Sequence, residues 1–84
     1  MNREDAEKIS QRVVEILEQK RIERNITKLQ ISKETGISRT AITLMVNKQN
    51  SPTLRTLMMV ASSIGVDIKE IINEAEKTTP NTIR

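Results

Sequence analysis

Apolar residues along the chain recur at intervals of three and four, and no segment shows the strict alternation of a half-buried strand. The first run puts Ile9, Val13, Ile16 and Leu17 on one face, with Ala6 a turn earlier, and predicts a long helix over about 5–24. Thr27-Lys28-Leu29-Gln30 has the form of a capping box, in which the threonine accepts an unpaired N–H and the glutamine returns the bond. It predicts a short helix from Lys28 to about Thr35, with Leu29 or Gln30 leaning outward and Ile31 inward. Gly36 stands where a left-handed residue ends a helix. Ser38 can cap the next helix, whose apolar side is Ile42, Met45 and Val46.

Asn47-Lys48-Gln49-Asn50 is a polar break. Ser51-Pro52 then reads as a capping serine followed by a first-turn proline, which predicts a helix over about 52–64. Its expected buried stripe is Leu54, Leu57, Val60, Ala61 and Ile64, and Gly65 ends it. Asp67 to Glu70 reads as a second capping box, opening a helix over about 68–76 with Ile68, Ile71, Ile72 and Ala75 as its apolar set. "KTTPNTIR" offers no packing face, so residues 78–84 are expected to be a flexible tail. The expected fold is an all-α, compact five-helix bundle, with residues 1–77 as one domain.

Composition narrows the chemistry. The 84 residues contain no cysteine and no histidine, which removes thiolates, disulfides, most zinc sites and the commonest general base. The two aspartates, Asp5 and Asp67, lie far apart, and the glutamates sit beside lysines and arginines as solvated helix surface does. An enzyme, a metal site and a cofactor are therefore not expected. No apolar run approaches the length of about 20 residues that a membrane span needs. The charged start "MNREDAEK" lacks a signal peptide's apolar region, so a cytoplasmic protein is expected.

Net charge is +3, and its placement says more than its size. Residues 1–27 carry six basic and six acidic side chains. Residues 28–58 carry five basic ones, Lys28, Lys33, Arg39, Lys48 and Arg55, against Glu34 alone. Residues 59–84 carry three against four. Such a local basic excess fits either a solvated face or a polyanion site. Two short helices around a turn that contains glycine are the outline of a helix-turn-helix, here at about 28–47. Ser32 is small where the two helices must cross, and Ile31, Ile37, Ile42 and Met45 fill the wedge between them and the bundle.

On these residues the span from Thr27 to Ile71 resembles the lambda-repressor-like (Cro, XRE-type) helix-turn-helix family. "ITKLQISKETGISRTAITLMVN" is similar to the family's motif, and "SPTLRTLMMVASSIGVDIKEII" to its next two helices. Three departures stand out. Lys28 occupies a position often held by glutamine, and Ser32 one where alanine is commoner. The first helix's apolar pair also lies about three residues further from Thr27 than in the family, so "EQKRIERN" must extend that helix or lengthen the loop, and Ile22 finds no place.

The resemblance implies a regulator of transcription that binds double-stranded DNA in a sequence-specific way, as a homodimer on a palindromic operator. Residues 38–47 would be the recognition helix, entering the major groove by its N-terminal end. Ser38, Arg39, Thr40, Thr43 and Leu44 lie on its exposed side and are the expected base readers. Arg39 can bond guanine O6 and N7 together or meet a phosphate, and Thr40 and Thr43 can bond a base or touch a thymine methyl. Leu44 fits a thymine methyl or packing against the bundle. Backbone phosphates are assigned to Thr27, Lys28, Lys48, Ser51, Thr53 and Arg55, while Lys33 reads as plain surface. The chain has no aromatic residue for stacking on bases, which favours duplex DNA over RNA. Met58 and Met59, Ile72 and Ala75, or the long first helix would supply a dimer contact, unless the methionines fill gaps in the core. RNA polymerase or another regulatory protein is a further expected partner. The alternative reading is a protein-interaction module, such as an antitoxin, with DNA binding secondary.

Overall fold

Asn2 starts the first helix: its side-chain oxygen accepts the N–H of Asp5 at 2.8 Å. In the computed structural model, which describes residues 1–79, helix α1 runs Arg3–Glu23 and carries acidic residues in its first turn and basic ones in its last. Both placements oppose the helix dipole. Its buried face is Ile9, Val13, Val14, Ile16 and Leu17, and Ala6, expected on that face, is exposed. Of the two ways to accommodate "EQKRIERN", the chain extends the helix. Asn25 then takes a left-handed conformation, φ 56°, and Ile26 N–H donates back to the Arg21 carbonyl at 3.0 Å. This turn delivers Ile26 to the core and leaves Ile22 on the surface.

Helix α2, Lys28–Thr35, has the two-way Thr27–Gln30 capping box, and Gly36 ends it at φ 80°. Ser32 is half-buried at the crossing, and the hydroxyl bonded back to the helix is that of Thr35, 2.7 Å from the Ile31 carbonyl. The Thr35 oxygen also accepts the N–H of Ile37 at 3.1 Å, so one side chain ties the helix end to the turn. Helix α3, Arg39–Val46, begins at Ser38, whose Oγ accepts Ala41 N–H at 3.0 Å.

Helix α4, Leu54–Ile64, is capped by Thr53 and not by Ser51: Thr53 Oγ1 accepts Thr56 N–H at 3.2 Å. Pro52 accordingly precedes the cap. Leu54 is thereby the tip of the helix and 60% exposed, and the buried stripe begins at Leu57. Gly65, φ 89°, closes α4. Helix α5, Ile68–Thr78, is opened by Asp67, which accepts Lys69 N–H at 2.9 Å. That is a one-sided cap on the second residue, not the reciprocal box expected from Glu70. The helix also runs further than expected. Arg12 of α1 donates from Nε to Thr78 Oγ1 at 3.0 Å, and Thr79 is buried with its hydroxyl on the Ala75 carbonyl. Thr79 is therefore packed, Thr78 is exposed but hydrogen-bonded to α1, and the rest of the expected tail, 80–84, lies outside the described residues.

The described residues form five helices and no strand. Helix α5 packs chiefly on α1, α4 on α2 and α1, and α3 on α2 and α1. One core joins them. Ile16, Leu17 and Ile31 are its largest fully buried side chains, and Ile42, Met45, Val60, Ile64 and Ile71 close around them. Truncating one of the first three to alanine removes buried methylenes and leaves a cavity, a loss of about 2–5 kcal/mol. The wedge expected under the helix-turn-helix is present: Ile31, Ile42 and Met45 are buried, and Ile37 is half-buried against them. Ala75 is fully buried, so it is removed from the residues expected to meet a second copy.

Candidate nucleic-acid interface

Three residues, 36–38, turn α2 into α3, and the first turn of α3 points away from the core. Ser38, Arg39 and Thr40 are exposed there, Thr43 is half-buried, and Leu44 is 37% exposed. Arg39, Thr40, Thr43 and Leu44 line one open cleft with Lys28 and Leu29 of α2. Four of the five expected base readers thus share a concave surface. Ser38 stands beside it as the cap of α3, its oxygen lone pair spent on Ala41 N–H while its O–H can still donate.

The cleft is braced from both sides. Lys28 donates from Nζ to Thr43 Oγ1 at 3.3 Å, so an expected phosphate ligand and an expected base reader are tied across the two helices. At the back lies Arg21, which is clamped to Glu18 by two bonds, Nε to Oε1 at 2.6 Å and Nη2 to Oε2 at 2.8 Å. Its third donor, Nη1, reaches the Ile26 carbonyl at 2.8 Å and holds the chain between α1 and α2. The Arg21 guanidinium holds the Glu18 carboxyl below its ordinary range, and Glu18 in turn raises Arg21. Sequence reasoning did not place Arg21 here. Its i,i+3 spacing from Glu18 signals the ion pair, but the bend at Asn25 that brings it to the cleft is not a pattern of residue types.

The expected phosphate ligands fall into two groups. Lys28 and Arg55 have no ion-pair partner among the described residues, as is also true of the expected base reader Arg39 and of Lys33, and Arg55 is exposed on the first turn of α4. At that terminus the N–H groups of Leu54 and Arg55 precede the first helical bond, Leu57 N–H to Thr53 carbonyl, and remain for an external acceptor. Ser51 and Thr53 are exposed beside it. Thr27 is occupied as the cap of α2. Lys48 is different: at φ 62° it swings back to α1, where Nζ lies 2.5 Å from Glu15 Oε2. This bond, with help from Arg12 at 3.2 Å, lowers the Glu15 carboxyl's proton affinity below the ordinary range.

A glycine-turned helix pair, a buried wedge and an exposed first turn with Lys28 and Arg39 free of ion pairs among the described residues together define a DNA-binding helix-turn-helix. Residues 17–71 match the helix-turn-helix family, which is of the Cro/C1 (XRE) type, and the chain belongs to it with a lambda-repressor-like fold. No curated protein and no solved structure matches the chain. Double-stranded DNA is the ligand class of this family. No helix among the described residues is long and apolar enough to cross a membrane.

Proposed function

We propose that this chain is a regulator of transcription that occupies a palindromic operator as a homodimer, with the first turn of α3 in the major groove. The observation that carries this reading is the concave surface shared by Arg39, Thr40, Thr43 and Leu44, which among the described residues has no carboxylate in its lining and in which Lys28 and Arg39 have no ion-pair partner. Arg39 is the principal base reader, bidentate to guanine, and a good pair of this kind discriminates by about 1–3 kcal/mol. Ser38, Thr40, Thr43 and Leu44 complete the reading surface. Lys28, Arg55, Thr27, Ser51, Thr53 and the α4 N-terminus hold phosphates and set register. Lys48 joins them once it leaves Glu15.

A single unit of this kind covers about 600–1,000 Å² of DNA, which favours two copies on two half-sites. Leu54 and the 51%-exposed Met58 lie one turn apart on α4 and give an apolar surface for a second copy. The same pair is the observation that favours the other reading, in which a different protein such as a toxin or polymerase is held.

Selection of bound duplexes from a random pool at about 150 mM salt, with wild type and Arg39→Ala in parallel, tests the proposal. A palindromic consensus with half-sites about one helical turn apart, relaxed at one symmetric position by Arg39→Ala, is the expected result. No enrichment by wild type would shift the function to a protein partner. A consensus unchanged by Arg39→Ala would move Arg39 from bases to phosphate.

A further inference from the structure

The cleft between α2 and α3 has a volume of about 760 Å³, and two leucines stand open in it: Leu29 at 44% and Leu44 at 37% exposure. Around them are cations and hydroxyls: Arg39, Lys28, Thr40 and Thr43. Among the described residues no carboxylate lines this cleft. Its rim therefore suits a polyanion, while its floor asks for an apolar group. The Lys28–Thr43 bond, 3.3 Å long, joins the neighbours of the two leucines across the helices.

The major groove offers one apolar feature among its donors and acceptors, the C5 methyl of thymine. The C5 methyl of 5-methylcytosine occupies the same place on the pyrimidine ring. We propose that Leu44, backed by Leu29, is a reader of 5-methylpyrimidines, and that each half-site presents thymine or 5-methylcytosine to this cleft. The inference rests on the reading of α3 as the groove-entering helix and adds the chemical class of base that the leucines select. Arg39, five residues earlier on α3, faces a different base pair and reads guanine by hydrogen bonds. The helix thus couples a polar reader at its start to an apolar one a turn later. Leu29 belongs to α2, so the first motif helix takes part in base selection through packing, not through a bond of its own.

The test uses a duplex recovered by the selection above. Each thymine of one half-site is replaced in turn by deoxyuridine, which removes only the C5 methyl. Binding of wild type, Leu44→Ala, Leu44→Met and Leu29→Ala is followed by fluorescence anisotropy. At one position deoxyuridine should weaken wild type about fourfold, the value of burying one methyl. Leu44→Ala should lose that difference, Leu29→Ala should reduce it, and Leu44→Met, still apolar, should keep it. A cytosine placed there should bind more weakly than 5-methylcytosine by the same factor. That last comparison needs wild type alone and stands even where a variant folds poorly. Wild type indifferent to every thymine methyl overturns the inference and leaves the operator reading in place. So does a methyl effect that persists undiminished in Leu44→Ala, since Thr40 or Thr43 would then be its source. Recovery of no duplex at all overturns the operator reading and this inference together.

Discussion

Arg24, at the end of α1, closes the end of α4: its Nη1 lies 3.0 Å from both the Ile64 and the Gly65 carbonyl oxygens. These are orphan acceptors of a helix C-terminus, and a cation there also meets the negative end of the dipole. The extra turn of α1 thereby acquires a structural role, because it carries Arg24 to that place. Arg24→Ala should cost about 1 kcal/mol of stability, since the site is partly open to water. Gly65→Ala should cost about 1–2 kcal/mol through its left-handed backbone. A Cβ at Gly65 would also stand 3.0 Å from Arg24 Nη1 and push it away. Urea denaturation of both single variants and the double should therefore give a sum smaller than additive. Strict additivity would show that the two do not share this contact.

Lys48 is ion-paired with Glu15, and in the proposed reading this pair competes with phosphate. In Glu15→Gln the side chain is released, so affinity for duplexes of any sequence should rise, and the slope of log K against log salt should steepen by up to about one unit. The exposed pair itself is worth under about 1 kcal/mol, and stability should change little. Unchanged affinity and slope would place Lys48 away from DNA.

Lys28→Ala should act on all sequences alike, with a salt slope shallower by about one unit. It also removes the bond to Thr43, so selectivity at the base pair that Thr43 meets should loosen slightly. Titrations at several salt concentrations on the selected and a scrambled duplex separate the two effects.

Acid should weaken the fold through Glu18. Its carboxyl, held by Arg21, binds its proton less readily folded than unfolded. The pair's contribution is fully present above the ordinary glutamate value of 4.5 and is lost as pH falls through the lowered folded value. Glu18→Gln should therefore be less stable than wild type at neutral pH, and the gap should close in acid. A gap that stays constant with pH would mean that the pair adds nothing through charge.

Ser63 Oγ is buried on α4 and has no hydrogen-bond partner among the described residues. Ser63→Ala removes that desolvated hydroxyl and substitutes the best helix former, so the melting temperature should rise, by about 0.5–1 kcal/mol of stability. A drop would reveal a bond made by that hydroxyl.

Features that depend on neighbours in sequence were legible. Thr27 with Gln30, Gly36, Ser38 and Gly65 act within a few residues of themselves, and residue type alone decides them. The misreadings came where two local signals compete or where the partner is remote. In "SPTL" both Ser51 and Thr53 have hydroxyls suited to a cap, and Thr53 wins because its oxygen meets Thr56 N–H. Arg24 finds its carbonyls 40 residues away, and Arg12 finds Thr78 across 66, so no pattern near either residue announces the contact. The exposed side of α3 was readable from helical spacing. The tethering of Thr43 to Lys28 and of Lys48 to Glu15 was not, because each joins different helices.

The turn of the motif carries a last consequence. A Cβ built at Gly36 has nothing within 4 Å, although the backbone sits at φ 80°. Position 36 thus discriminates by torsional preference and is blind to bulk. Variants should rank as their backbones tolerate the left-handed region: asparagine least damaging, alanine next, valine worst. Because Gly36 makes the turn between α2 and α3, the same ranking should reappear in affinity for the proposed operator, although a Cβ there meets no other part of the described protein.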